Sequence, residues 1–268
     1  MMAMADVKHA FAVCAYGKSP YLPECLASLA AQTYGDSEVF IATSTPSDWL
    51  YDIAKSFALP VYVNTGASGI GQDWNFAYRH AHARYVTIAH QDDTYEPTYA
   101  EAAVAALDAT PDALIYFSDY GELRAGERVD DNRLLRVKRT LLRPLRCAPR
   151  AAAARWRKRA ALRFGSAICC PAVTFNVERC PMPPFVVGMK SNLDWATWES
   201  LSRLSGAFLY DPAVRMHHRI HEDSATSELI ASHQRDAEDL AMLERFWPRP
   251  VAGLIERFYA KGTESNDL

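Results

Sequence analysis

Two rhythms of apolar and polar residues alternate along the first ninety or so positions. Short, β-rich apolar runs over 9–15, 39–43, 60–64 and 85–89 have the density of buried strands. Between them, 21–32, 48–58 and 73–83 place apolar residues at helical spacing. Strand and helix therefore alternate, which builds a parallel sheet covered by helices. A helix ending at 109 and a strand over 113–118 extend the series. After about residue 165 the pattern resumes with an apolar, β-rich stretch over 166–176 and a proline loop at Pro181, Pro183 and Pro184. A helix over 195–204, with Trp195, Trp198 and Leu201 at helical spacing, leads to short strands over 206–211 and 214–218. Helices over 227–246 and 250–259 close the chain, and the polar tail 261–268 is expected to fray. The expectation is an α/β fold with a Rossmann-like, mostly parallel central sheet flanked by helices.

One strand ends unlike the others. The run 85–89 stops on His90, Gln91, Asp92 and Asp93. Where a strand gives way to a turn, adjacent carboxylates can converge on one hard cation, Mg²⁺ or Mn²⁺, and ligands of open α/β sheets sit beyond the carboxyl ends of the strands. An exposed turn is the alternative, because Asp favours turns and helix starts. Asp119, after the strand over 113–118, is open to the same two readings. The loop GASGIG, 66–71, allows close backbone approach to a phosphate or ribose, yet lacks the dinucleotide-binding glycine spacing. Asp194, at a helix start, either stabilises unpaired amides or serves as general base toward an acceptor hydroxyl. His217, His218 and His221 can aim one or two imidazoles at a metal or phosphate from an extended segment, although taken alone a surface cluster is the better reading.

Composition narrows the class. With 268 residues and 49% hydrophobic content the chain has ample core, and a net charge of −3 argues against a protein that coats nucleic acid. The charge is unevenly spread: 133–163 holds twelve Lys or Arg and no acid, leaving −15 on the remainder. Leucines, Trp156 and Phe164 interleave with these bases. Such a segment suits an anionic membrane surface or a lipid-linked phosphate acceptor, and equally a solvated, partly mobile insertion that balances the acidic remainder. Sparse aromatic interleaving disfavours nucleic acid. No run approaches the roughly eighteen apolar residues of a spanning helix, and no signal segment opens the chain, so a cytoplasmic location is expected. The six cysteines lack zinc spacing and are expected to be reduced.

In order and spacing these features resemble the inverting, nucleotide-sugar-dependent glycosyltransferases of family 2, with the GT-A fold, over most of 9–226. The first strand, proline turn and helix match at 13–32. Asn64, Gly66, Asn75, Ala81, Tyr85 and Val86 fall at places of the family's N-x-G…A-R-N-x-G block, and HQDD stands for D-x-D-D. Leu193 and Asp194 resemble the E-D motif, followed by Trp195 and Trp198 for W-x-x-W, while Arg219, His221 and Ser224 resemble the late R-x-H with its serine.

The resemblance implies donor contacts from Ala15, Tyr16, Thr43, Asn75, Asp92 and Asp93. It implies Mg²⁺ or Mn²⁺ held by Asp92, Asp93 and His221, and Asp194 as catalytic base. Asp119, Trp195 and Arg219 would contact acceptor or diphosphate. Residues 1–125 would form the nucleotide-sugar-binding part, 126–165 a basic insertion, and 166–268 the acceptor-side and C-terminal helical part. The implied partners are a UDP, dTDP or GDP sugar and a glycan or lipid-linked acceptor in surface polysaccharide or glycan synthesis. Contact with the inner face of a membrane would run through 133–163, with no nucleic acid involved. The departures are His90 for the first Asp, Trp74 for an Arg, Leu193 for a Glu, and Ala42 to Thr45 for the nucleoside-reading D-D-G-S. They keep two rivals open: a metal-dependent hydrolase built on Asp92, Asp93 and the histidines, and a GT-A-like scaffold that has lost catalysis.

Overall fold

The structure, a computed structural model, describes residues 7–67, 69–221 and 234–264. Four strands, β1 (Val7–Ala15), β2 (Ser37–Thr43), β3 (Val61–Val63) and β4 (Ala83–His90), lie parallel in the order β3-β2-β1-β4. They are joined by α1 (Leu22–Ala30), α2 (Asp48–Ser56) and α3 (Ile70–His80). The two-residue period of β1 feeds both faces: Ala10 and Ala12 join the core around Tyr78 of α3, while Phe11 and Val13 join Leu26 of α1 and Leu50 of α2. Local chemistry starts each helix. Pro23 lies in the first turn of α1, and the Ser47 side chain accepts from the Leu50 amide at the start of α2. Gly69 precedes α3 at φ 130°, a conformation that a side chain would strain.

The rest of the sheet is mixed. β5 (Thr94–Tyr95), α4 (Tyr99–Ala109), β6 (Ile115–Arg124), β7 (Glu127–Val129), β8 (Val173–Asn176) and β9 (Phe208–Ile220) complete the order β3-β2-β1-β4-β8-β6-β9-β5, with β7 on β6. β8 is antiparallel to both β4 and β6, so β6 and its parallel partner β9 again run in the direction of β4. Among the described residues, four pairings are parallel and four antiparallel.

Three boundaries differ from the sequence expectation. β6 runs on to Arg124, so Asp119 lies inside a strand instead of ending one. The segments 206–211 and 214–218 are one strand, β9, in which register shifts opposite Ser118 and Asp119 absorb the break at Asp211 and Pro212. Within 166–176 only Val173–Asn176 is strand, after a 3₁₀ turn at Cys170–Ala172.

The basic segment is not a mobile, solvated insertion. It folds as α5 (Arg133–Leu141), α6 (Pro149–Ala152) and α7 (Arg155–Leu162), and buries Leu135, Leu142, Leu145, Ala161 and Leu162 in the core. Several of its charges are structural. Lys158 is fully buried, and its Nζ donates to the carbonyls of Leu204 (2.6 Å) and Gly206 (2.8 Å), just past the end of α8 (Leu193–Ser202). Burial pushes its pKa down to about 8. Arg159 meets the buried Glu199 of α8, which also pairs with Arg203 and Arg245.

Two helices, α9 (Gln234–Leu243) and α10 (Arg249–Glu264), end the described chain. α10 continues through 261–264, where fraying was expected. Residues 227–233 of the expected helix, and Ser224, lie outside the described residues. No described helix is long and apolar enough to cross a membrane. All six thiols are free, with Cys25 and Cys170 buried and the others half-buried.

Candidate active site

The end of β4 supplies the densest polar cluster. The chain turns at Gln91 and Asp92, the amide of Asp93 donates to the carbonyl of His90, and β5 then pairs with β9 through Thr94 and His217. That pairing lays the end of β9 against the turn. Asp93 is wholly buried, and its Oδ1 accepts from His218 Nδ1 and the Arg219 amide, both at 2.9 Å. Burial works against a charged His218, but the Asp93 charge and hydrogen bond, with Asp92 beyond, outweigh it and raise its pKa. Asp93 Oδ2 makes no hydrogen bond among the described residues and lies 3.8 Å from His90 Nδ1. His90 Nε2 is likewise buried without a partner there, and burial pushes the His90 pKa down to about 4. His90 is therefore a neutral imidazole, the form that ligates metals.

One ligand atom each from His90, Asp92 and Asp93 lies within 4.8 Å of the others. Two imidazole and carboxylate atoms left orphaned in a buried site are what a cation would satisfy, so the donor set fits a hard divalent ion. His221, expected among the ligands, hydrogen-bonds Asp92 Oδ2 through Nε2 at 3.0 Å. His90, which stands where the family has its first Asp, belongs to the cluster and stacks on Trp74 at 4.8 Å.

The surface-cluster reading of the histidines does not hold. His217 is 2% exposed and bonds Asp130 through Nε2 at 2.8 Å, and the space for this pair exists because residue 121 is glycine: a Cβ there would lie 2.3 Å from Asp130 Oδ1. Arg219 is buried too. It donates to the Asp92 carbonyl (2.8 Å) and to Glu24 of α1 (2.6 Å), and lies over the Tyr21 ring, bracing the turn.

A second group lies over the ends of β1 to β3. The Gln91 amide grips Tyr16, accepting from its N–H at 3.1 Å and donating to its carbonyl at 2.9 Å, which leaves the Tyr16 ring exposed. The amide of Gly17 donates to Thr45 Oγ1 (2.7 Å), beside Thr43. Asp73, in the first turn of α3, accepts from Ser44 Oγ (2.8 Å) and Asn64 Nδ2 (2.7 Å). Sequence reading missed Asp73, whose only signal is an acid in a helix's first turn. Ala15 and Thr43 are buried at the strand ends. Asn75 is also buried, and its amide clamps the backbone N–H and C=O of Phe185.

Asp194 sits in the first turn of α8, half-buried, and accepts from Ser166 Oγ (3.2 Å) and the Trp195 amide (2.6 Å). The helix N-terminus favours its anion. Burial raises the pKa of the Cys169 and Cys170 thiols, and the charges of Asp93 and Asp194 push both in the same direction. Trp195 is a core residue whose indole donates to the Leu162 carbonyl, and Asp119 is buried against Arg139.

The sequence profile of Glycosyl transferase family 2 matches residues 11–165. Among curated protein sequences none matches the chain. Solved structures do. The mannosyltransferase PcManGT from Pyrobaculum calidifontis, in complex with GDP-Man and Mn²⁺, is 17% identical, with a TM-score of 0.64 over 96% of this chain and 70% of that one. Residues 1–349 of S. aureus TarS are 14% identical, with a TM-score of 0.61 over 93% of this chain and 69% of that one. The same TarS fragment in complex with UDP-GlcNAc gives 0.62. These likenesses show the fold, GT-A.

Proposed function

The chain belongs to glycosyltransferase family 2, and we propose that it moves a sugar from a UDP, dTDP or GDP donor to an acceptor hydroxyl with inversion. The observation that carries this reading is the cluster of His90, Asp92 and Asp93 at the end of β4, in a chain whose residues 11–165 match the family. Solved relatives in fold bind UDP-GlcNAc and GDP-Man, which supports a nucleotide-sugar donor. The donor's nucleoside would lie over the ends of β1 to β3, among Tyr16, Thr43, Thr45 and Asp73. Asn75 and Arg219 act by position, the first holding the 185 loop and the second the Asp92 turn.

His90, Asp92 and Asp93 would hold Mg²⁺ or Mn²⁺, with His221 a hydrogen bond from Asp92; when bound, the ion neutralises charge on the departing diphosphate. Asp194 takes the proton of the acceptor hydroxyl as its oxygen bonds the anomeric carbon. The bond to the diphosphate oxygen breaks on the opposite face, so configuration inverts. Ser166 and the α8 amide keep the carboxylate oriented for this. The acceptor is a glycan or lipid-linked saccharide in surface polysaccharide synthesis, handled in the cytoplasm at the inner face of the membrane.

The test is nucleoside diphosphate release from a panel of UDP, dTDP and GDP sugars, with and without free and lipid-linked oligosaccharides. Wild type should transfer sugar to one acceptor class. Asp194→Asn should lose about 10² to 10⁴ in rate while still binding donor. Release without any transfer, indifferent to Asp194, would point to the hydrolase.

A further inference from the structure

We infer that the outer face of α5, with the exposed start of α7, docks the protein on an anionic lipid bilayer. This deepens the transferase reading by naming the surface that carries the acceptor, and rests on that reading for its purpose. The segment's twelve bases divide into two sets. Arg139 and Arg159 hold buried acids, Lys158 holds two carbonyls, Arg157 donates to the Pro144 carbonyl and Lys138 to the Tyr120 hydroxyl, and Arg136 is paired with Asp131. By contrast, Arg133, Arg143, Arg146, Arg150, Arg155 and Arg163 are exposed and form no ion pair among the described residues. Positive charge left without an acid is complementary to anionic headgroups, which attract each such base near the surface.

Charge alone would suit any polyanion, and the apolar side chains choose between them. Val137 of α5 is 51% exposed, Leu134 37%, and Trp156 at the start of α7 63%. Val137 and Leu141 line an open groove of about 290 Å³ with Arg133, Arg136 and Thr140. Apolar residues set among arginines on a helix face match the boundary between headgroups and acyl chains. A soluble polyanion offers them nothing.

The face is also tied to the site. Asn132, the cap of α5, donates to Glu122 of β6, and Arg139 donates to the Asp130 carbonyl. Asp130 in turn bonds His217, next to the His218 that holds Asp93. These contacts link the helix that docks to the Asp93 turn.

The experiment is co-sedimentation of the full chain, without donor, on phosphatidylcholine vesicles and on vesicles containing phosphatidylglycerol. Wild type should pellet with the anionic vesicles only, and high salt should weaken it. Leu134→Ser with Val137→Ser, which leaves charge unchanged, should reduce partitioning about tenfold. Both side chains are exposed, so an unchanged melting temperature verifies the fold. Absence of binding to anionic vesicles overturns the inference. So does binding that the serine pair leaves unchanged and that polyphosphate competes away, which marks a polyanion site. A chain that pellets but never turns over a donor sinks the transferase reading and leaves docking intact.

Discussion

The two halves of the sheet treat buried polarity differently. Around β1 to β4 the core is almost wholly apolar, and the fully buried imidazole of His9 is kept neutral between Ser37 and Thr87. Around β6 and β9 the core takes in Asp93, Asp119, Glu122, Lys158, Glu199, His217 and Arg219, each held by a polar partner. Apolar packing tolerates exchange of similar residues, whereas a buried ion is committed to its partner. The first half should therefore be robust, and the second half both fragile and exact about geometry, which is where the carboxylates proposed to react sit.

The sharpest break should come at Glu199, which gathers Arg159, Arg203 and Arg245. Glu199→Ala strands three guanidiniums and should cost about 3 kcal/mol, read as a fall in the urea midpoint. A change within the range of surface substitutions would mean that the half is not organised by charge.

The apolar half should instead show its single weakness in acid. Burial pushes His9 down to about 3. Unfolded, the imidazole titrates near its ordinary value, so below about pH 6.5 the unfolded chain binds the extra proton and stability falls with pH, by up to ~1.4 kcal/mol per unit. His90, lowered by burial to about 4, adds in the same sense. His9→Gln should flatten the urea-midpoint profile between about pH 6.5 and 5. An unchanged slope would assign the acid sensitivity elsewhere.

A smaller effect should separate position from stability. Glu238 of α9 accepts from the amides of Lys190, Ser191 and Asn192, which lead into α8 and Asp194. Burial opposes its charge, but these hydrogen bonds outweigh that and lower its pKa. Glu238→Ala should cost about 1–2 kcal/mol and reduce kcat with little change in donor KM. Equal loss of donor affinity would show that the loop serves the donor side instead.

The same contrast explains what could be read from the chain. The strands of the first half were legible within a few residues, because burial on alternating faces leaves a period. β9 was not, since Asp211 and Pro212 look like a turn and only pairing with β6 shows a bulged continuous strand. Asp92 and Asp93 were legible as acids at a strand end, but Asp93 Oδ1 is held by His218 and Arg219, far along the chain, and no local pattern encodes that. Two departures from the family pattern, Trp74 and His90, looked independent and are in fact stacked on each other. Asp73 was not legible as part of the site, because Ser44 and Asn64, which hold it, are residues that only the fold brings together.

The most direct measurement is calorimetric titration of UDP, dTDP and GDP sugars into the protein, with Mn²⁺ and with a chelator, on wild type and Asp92→Asn. Binding of one nucleotide family is expected, dependent on the ion and weakened at least about tenfold by Asp92→Asn, near 1.4 kcal/mol. Folded protein that binds no donor, or binds equally well with chelator and in the variant, would contradict a donor site at the end of β4.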